Sequence, residues 1–251
     1  AGRSDRDGAQ AGRVAVGRMG GSLIPLQNDF MSDGDILHKE ERAAARPSPL
    51  ARPSKEEIAA LPPFEGLQLS HIHVLKSKTQ IEFATRALMD ARFVGFDTET
   101  KPVFTKDAVH DGPHVVQLAT LEHAFIVQIG IAGTHEFLRN VIESAHIVKV
   151  GFGLKSDRGP LRRKLGIRLG EAVDLAPVVR RLGYSQAVGV KAAVAIVLGQ
   201  RLVKSKSVTT SNWALPKLRP NQLQYAADDA LAALRVFHAM GQPYAPQTLR
   251  S

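Results

Sequence analysis

The pattern of apolar and polar positions changes near residue 61, and from residue 71 onward it predicts a regular succession of elements. HIHVL at 71–75 is typical of a strand, and Thr79 with Glu82 forms the pattern of a capping box that opens a helix to about residue 91. Three apolar runs follow: FVGF, HVVQLA and HAFIVQI. Three successive strands joined by short connections predict an antiparallel meander.

Helices and strands alternate in the rest of the chain. The pattern predicts a helix in THEFLRNVIES, a strand in HIVKV, a helix in SDRGPLRRKLG that ends at Gly166, a short strand VDL, the helices APVVRRLG and GVKAAVAIVLG, a basic loop RLVKSKSVTTSN, and a last helix from about Pro220 to Met240. Strands alternating with helices favour parallel pairing. The predicted fold class is therefore α/β: a mixed sheet with a three-strand meander, in which one antiparallel strand joins otherwise parallel strands, flanked by helices on both faces.

The first 60 residues differ from the remainder in composition. Residues 1–60 are rich in Gly, Arg, Ser, Pro and Ala and show no sustained periodicity, which predicts a disordered or weakly ordered N-terminal extension. We expect one domain over residues 61–245 and a short tail over 246–251.

Charge and composition narrow the classes of function. The chain of 251 residues has a net charge of +9, and the excess lies entirely after residue 60, where 24 Lys and Arg face 15 Asp and Glu. A basic domain is typical of proteins that bind polyanions, although a solvated basic surface explains the same charge. The chain has no cysteine, so thiol nucleophiles and cysteine metal sites are excluded. Its apolar runs are shorter than the roughly 20 residues that cross a membrane, so we expect no membrane contact.

Two carboxylates, Asp97 and Glu99, close the apolar run of FVGFDTE. Side chains alternate along a strand, so both acids point to the same face if the strand continues that far. Neighbouring carboxylates repel each other unless water solvates them or a cation lies between them. Both explanations remain open from this segment alone.

Two further acidic positions lie at element ends or on a buried helix face. Asp157 falls in the first turn of the helix after HIVKV, where a capping role is the alternative because acids are stabilised at helix N-termini. Tyr225 and Asp229 are four residues apart in the last helix and therefore lie on one face. Asp228 points away from this face. For Tyr225 and Asp229, a structural hydrogen bond between the two side chains is the alternative to a functional role.

Taken together, GFDTE, GFGLKSD and YAADD resemble, in order and spacing, the DEDD-type 3′→5′ exonucleases, in the tyrosine-bearing subgroup with RNase D and the Werner-syndrome exonuclease domain. The resemblance spans about residues 61–245 and includes VVQLAT and SNW. The histidine-bearing subgroup is disfavoured because Gln224 occupies its histidine position.

The resemblance implies an RNase H-like fold and phosphodiester hydrolysis assisted by two divalent ions, Mg²⁺ or Mn²⁺. It implies that Asp97 bridges both ions, that Glu99 and Asp229 complete the site of the water-activating ion, and that Asp157 supports the second ion. Tyr225 is expected to orient the attacking water.

Candidate residues for nucleic-acid binding lie beside the acids or in the basic loop. The resemblance implies that Thr98 contacts the terminal nucleotide through its backbone. We expect Trp213 to stack on a base, with burial in the core as the alternative. The cationic candidates are Lys204, Lys206, Lys217 and Arg219, for which a solvated loop is the alternative.

The leading functional hypothesis is a 3′→5′ exonuclease that releases nucleoside 5′-monophosphates from a nucleic acid with a free 3′ end. The alternatives are a non-catalytic nucleic-acid-binding module on the same fold and an RNase D-like enzyme that trims RNA. About ten residues follow the last helix, so the extra C-terminal domains of RNase D are absent from this sequence; this favours DNA slightly over RNA. We further expect a cytoplasmic location and no obligate protein partner.

Overall fold

A computed structural model describes residues 49–103 and 111–245 of the chain, and a six-stranded mixed sheet forms its centre. The strand order is β1-β4-β3-β2-β5-β6. Strand β3 runs antiparallel to β2 and β4, whereas the other neighbouring strands pair in parallel. The predicted meander and single antiparallel strand are confirmed. The strands are β1 (Ile72–Val74), β2 (Phe93–Glu99), β3 (Val115–Ala119), β4 (Ala124–Gln128), β5 (Val148–Gly151) and β6 (Ala172–Asp174).

Helices cover both faces of this sheet. They are α1 (Lys55–Ala60), α2 (Lys78–Met89), α3 (Thr134–Ile142), α4 (Lys155–Leu165), α5 (Leu175–Arg180), α6 (Val190–Ala193, continued by a π-helical turn at Val194–Leu198), α7 (Lys206–Thr209) and α8 (Pro220–Ala239). Within the two described segments, none of these helices combines the length and apolarity needed to cross a membrane.

Alternation along the strands divides the core into two layers. On β2, Val94 and Phe96 pack in a cluster with residues of α2, α3 and α4. On the opposite face, odd-numbered residues of β3 such as Val115 and Ala119 pack with residues of α8. Because side chains of one strand alternate between faces, Asp97 and Glu99 extend toward the α8 side, whereas Thr98 extends toward the α4 side.

Helix α8 approaches β2 closely because Gly95 has no side chain. A Cβ atom built on Gly95 would lie only 1.9 Å from the carbonyl oxygen of Ala230. Glycine therefore lets the backbones of strand and helix come into contact. The contact lies two residues before Asp97 on β2 and one residue after Asp229 on α8. This contact sets the distance between the acids at the end of β2 and the acid on α8.

The turn between β5 and α4 places Asp157 at the same edge of the sheet. Gly153 has a φ of 70°, a backbone conformation that glycine adopts without steric cost. The turn brings Asp157 into the first turn of α4, as the sequence predicts. Helix α4 ends at Gly166, which has a φ of 67° in the left-handed region, so the predicted helix end is also confirmed.

The N-terminus of α2 differs from the sequence prediction. The capping box is formed by Ser77 and Gln80 and not by Thr79 and Glu82. Both pairs have the required spacing of three residues, and the sequence pattern does not distinguish them. Ser77 has the extended backbone that a cap residue needs, whereas Thr79 already lies inside the helix.

Two segments expected to lack regular structure contain short helices. In the basic loop, residues 206–209 form α7. Before residue 61, α1 forms, and the chain is held to the domain by hydrogen bonds from Leu50 N to Gly183 O (2.8 Å) and from Arg201 Nη1 to Ala59 O (2.8 Å). Residues 49–60 therefore pack with residues 61–245. The predicted disorder of the earlier extension, and the tail at 246–251, concern residues outside the described segments.

Candidate active site

Three carboxylates meet where the C-terminal end of β2 faces α8. Ligand oxygens of Asp97, Glu99 and Asp229 all lie within 4.8 Å of one another. Asp229 is only 3% exposed, and the two acids of β2 are partly buried. The period of two along β2 accounts for the first pair of acids, and the close approach of α8 at Gly95 adds the third. The structure thus brings together three of the four predicted metal ligands.

Asp157 approaches this cluster from the opposite face of the sheet. The hydroxyl group of Thr98 donates a hydrogen bond of 2.5 Å to Asp157 Oδ1. The backbone N–H of Thr98 donates to Asp97 Oδ1 at 2.8 Å. Thr98 therefore links the acid of α4 to Asp97 of β2, a role that the sequence pattern does not predict. The expected backbone contact of Thr98 with a nucleotide stays a prediction.

The buried carboxylates of this cluster require a nearby positive charge if they are to be ionised together. Burial, together with the negative charges of Asp229 and Asp157, raises the pKa of Asp97 to about 8. Burial and the charges of Asp97 and Asp229 raise the pKa of Glu99 to about 9. Carboxylates that crowd together out of water cannot all ionise near neutral pH unless a cation compensates them. This donor set of hard oxygen atoms fits a hard divalent cation such as Mg²⁺ or Mn²⁺.

Lys204 supplies one positive charge inside this cluster. Its Nζ lies 2.6 Å from Asp229 Oδ2, and the two side chains are 22% and 2% exposed. Burial alone would lower the pKa of Lys204, but the charge of Asp229 raises it above its ordinary value. The sequence predicts that Lys204 binds nucleic acid, whereas the structure places its ammonium group against a candidate metal ligand.

Tyr225 lies one helical turn before Asp229 and is 7% exposed. Its hydroxyl group accepts a hydrogen bond of 3.0 Å from Thr209 Oγ1 in α7. Burial, followed by the charge of Asp229, raises the pKa of Tyr225 to about 12. The phenol is therefore neutral at physiological pH, so it can donate a hydrogen bond but cannot act as a base.

The prediction that Trp213 stacks on a base is wrong. Trp213 is fully buried, its ring lies 5.8 Å from that of Tyr225, and its indole N–H donates to Thr209 O at 3.4 Å. A large apolar side chain in this position stabilises the packing of α7 against α8. The remaining cationic candidates, Lys206, Lys217 and Arg219, are exposed to solvent, and their role in binding nucleic acid stays a prediction.

A buried amide lies next to the cluster. Gln117 on β3 pairs in register with Asp97 on β2, and it is fully buried. Among the described residues, neither its side-chain oxygen nor its side-chain nitrogen has a hydrogen-bond partner. Directly opposed residues of antiparallel strands share a face, so this amide lies on the same side of the sheet as the carboxylate of Asp97. Gln117 belongs to the segment VVQLAT, whose resemblance to the family predicts no role for this residue.

Comparison with known proteins identifies the family. A model of the 3′-5′ exonuclease family matches residues 72–243. The chain belongs to this family. The match covers β1 through α8 and therefore includes all four acids and Tyr225. The resemblance derived from the three sequence motifs is confirmed.

Individual relatives agree with this assignment. The chain is 31% identical over 157 residues to the mouse bifunctional 3′-5′ exonuclease/ATP-dependent helicase WRN, with 61% of this chain and 11% of that protein covered. It is 27% identical over 181 residues to a 3′-5′ exonuclease of Arabidopsis thaliana, with 66% of this chain and 63% of that protein covered. The chain thus spans less than two thirds of each of these relatives.

Solved structures show the same fold. The exonuclease domain of Aedes aegypti Nibbler superimposes with a TM-score of 0.61 at 23% identity, covering 71% of this chain and 92% of that one. Escherichia coli RNase D superimposes with a TM-score of 0.59 at 18% identity, covering 68% of this chain and 44% of that one. The RNase H-like α/β fold expected from the sequence is confirmed.

Proposed function

We propose that this protein is a metal-dependent 3′→5′ exonuclease that hydrolyses terminal phosphodiester bonds of a nucleic acid and releases nucleoside 5′-monophosphates. The observation that carries the proposal is the convergence of Asp97, Glu99 and Asp229 within 4.8 Å, in a chain of the 3′-5′ exonuclease family. Every acid that the motif predicts is present, and Asp157 joins the cluster through Thr98. A non-catalytic module would not need to retain this energetically costly group of buried acids.

The four carboxylates are proposed to hold two divalent ions, Mg²⁺ or Mn²⁺. When bound, such ions activate the attacking water and stabilise the leaving oxygen of an in-line displacement at phosphorus. In this proposal, Asp97, Glu99 and Asp229 would hold the ion that activates the water, and Asp97 and Asp157 would hold the ion that stabilises the leaving oxygen. Thr98 orients Asp157 through its hydroxyl group and fixes Asp97 through its backbone N–H.

Tyr225 is proposed to orient the attacking water and not to remove its proton. The raised pKa of Tyr225, about 12, keeps the hydroxyl group protonated. The hydroxyl group of Thr209 lies 3.0 Å from that of Tyr225 and 3.1 Å from Ser205 O, so it holds the tyrosine hydroxyl group in place. Thr209 in α7 therefore acts as a positioning residue for the tyrosine.

Substrate approach requires cations outside the acid cluster, because four carboxylates repel a phosphate backbone. The exposed side chains of Lys206, Lys217 and Arg219 lie in the segment around α7 and before α8, the helices that carry Thr209 and Tyr225. We propose that these cations contact phosphates of the strand whose 3′ end enters the site. Losing any one of them should weaken binding and reduce its salt dependence.

Labelled oligonucleotides test the proposed activity. With Mg²⁺ or Mn²⁺, a 5′-labelled strand should shorten in single-nucleotide steps, and a 3′-labelled strand should release its label as a mononucleotide immediately. Asp97→Ala and Asp229→Ala should abolish both signals while leaving the fold intact. Stable binding without shortening would support the non-catalytic alternative and refute the enzyme.

The choice of substrate is addressed by the same assay with matched single-stranded DNA, duplex DNA and RNA. The slight preference for DNA stays a prediction, and faster degradation of RNA would favour the RNase D-like alternative. The cytoplasmic location and the lack of an obligate protein partner likewise remain predictions.

A further inference from the structure

The ammonium group of Lys204 lies against Asp229, one of the carboxylates proposed to hold a metal ion. Its Nζ is 2.6 Å from Asp229 Oδ2, and Asp229 belongs to the cluster of three carboxylates whose oxygens lie within 4.8 Å of one another. A lysine and a divalent cation cannot both contact the same carboxylate oxygen at short range without strong repulsion. The ion pair and the metal therefore compete for Asp229.

We propose that Lys204 is an exchangeable counter-ion of the carboxylate cluster: its ammonium group neutralises Asp229 in the metal-free protein and leaves Asp229 Oδ2 when a divalent ion binds. This inference rests on the proposed function, because it assumes that Asp229 is a metal ligand. It assigns Lys204 a positioning role in metal loading, in place of the nucleic-acid contact expected from the sequence.

The surroundings of Lys204 suit a side chain that moves. Its side chain is 22% exposed, so one side of it reaches solvent while its tip lies at a carboxylate that is 2% exposed. Residue 204 precedes α7 and lies outside the described helices and strands, so regular backbone pairing does not restrain it. Its ammonium group also lies 5.0 Å from the centre of the Tyr225 ring, whose face attracts cations. The ring provides a second contact for the ammonium group after it leaves Asp229.

The exchange has a physical advantage. Without any cation, the buried carboxylates would repel each other and open the site or take up protons. One lysine offsets part of this repulsion and keeps Asp229 in place between reaction cycles. A divalent ion carries twice the charge and contacts several carboxylates at once, so it displaces the single charge of Lys204.

Manganese titration followed by electron paramagnetic resonance tests the exchange without requiring catalysis. The proteins are the wild type, Lys204→Met, Lys204→Arg and the matched control Lys206→Met. The control removes one positive charge from an exposed position two residues away. Removing the competing ammonium group should lower the Kd for Mn²⁺ by at least about tenfold in Lys204→Met. Lys204→Arg, which retains the charge, should bind Mn²⁺ more weakly than Lys204→Met, and Lys206→Met should have the Mn²⁺ affinity of the wild type.

Thermal unfolding gives a second measurement. In EDTA, Lys204→Met should unfold at a lower temperature than Lys206→Met, because the buried carboxylates have lost their counter-ion. Addition of Mn²⁺ should then stabilise Lys204→Met more than the control. If the ion pair is instead a fixed structural contact, the Mn²⁺ affinity of Lys204→Met should equal that of the wild type or be weaker. Either result overturns the proposal.

Failure of this inference is distinguishable from failure of the proposed function. If the wild type binds Mn²⁺ and shortens oligonucleotides but Lys204→Met shows no tighter binding, only the exchange is refuted. If Lys204→Met binds Mn²⁺ more tightly than the wild type does, but the wild type shortens no strand, the exchange is supported and the enzymatic activity is refuted. If the wild type does not bind Mn²⁺, both are overturned.

Discussion

Replacement of Gly95 by alanine tests how tightly the structure couples strand β2 to helix α8. The added Cβ would lie 1.9 Å from the carbonyl oxygen and 2.6 Å from the carbonyl carbon of Ala230. Both obstructing atoms belong to the backbone, so a change of side-chain rotamer cannot relieve the clash. Either α8 or β2 must move, and with it the distance between Asp97 and Asp229.

The expected effects follow from this displacement. A carbon–oxygen contact needs about 3.3 Å, so the 1.9 Å separation requires a shift of more than about 1 Å. Overpacking of this kind costs about 3 kcal/mol of unfolding free energy or more. A misplacement of about 1 Å at a catalytic site lowers the rate about 100-fold. We therefore expect Gly95→Ala to lose stability and to lose affinity for Mn²⁺ and nuclease activity together.

Urea unfolding, Mn²⁺ titration and the labelled-strand assay measure these losses. Gly189→Ala is the matched control, because Gly189 has a φ of −80° and, apart from its chain neighbours, no described residue has an atom within 4 Å of the added Cβ. The control should lose little stability and no Mn²⁺ affinity. If Gly95→Ala had the stability and metal affinity of the wild type, the close approach of α8 to β2 would not set the geometry of the acid cluster.

Three further predictions concern the cluster itself. Gln117→Met should raise the unfolding free energy in urea by about 1 kcal/mol, because it removes two buried polar atoms that have no partner in the described part of the chain. A decrease of that size would contradict the prediction. Burial and neighbouring charges raise the pKa of Asp97 to about 8 and of Glu99 to about 9 in the folded state, above their value of about 4 in the unfolded chain. In EDTA, the contribution of these two carboxyl groups to the unfolding free energy should therefore be full at about pH 4 and below, and should be lost as the pH rises through 8 to 9. The unfolding free energy of Asp97→Asn should change less over this pH range. Thermal unfolding across pH that shows no such difference would count against the assigned burial. Tyr225→Phe should lower the rate about 100-fold with unchanged Mn²⁺ affinity, and a lowered affinity would show that the hydroxyl group serves the metal and not the water.

The sequence predicts those parts of the fold and site that depend on local periodicity. The period of two places Asp97 and Glu99 on one face of β2, and the spacing of four residues places Tyr225 and Asp229 on one face of α8. Gly153 and Gly166 mark the turn before α4 and the end of that helix. These predictions need no knowledge of how distant elements pack.

Other features depend on packing between elements, which periodicity does not encode. Thr98 lies on the opposite face of β2 from its acidic neighbours, and its contact with Asp157 exists only because α4 packs on that face. Lys204 precedes a short helix in a segment without a repeating pattern, so its direction toward Asp229 was not predictable. Trp213 was equally consistent with an exposed stacking site and a buried position, and packing against Tyr225 decided between them.

Asp97, Glu99, Asp157 and Asp229 are proposed to form one site for two divalent ions. Anomalous diffraction from crystals soaked in Mn²⁺ would locate these ions. We predict two peaks about 3.5–4 Å apart, with Asp97 in contact with both and the ammonium group of Lys204 no longer beside Asp229 Oδ2. The absence of any peak at these carboxylates, in crystals that retain the Lys204 to Asp229 ion pair at saturating Mn²⁺, would show that the four acids do not form a metal site.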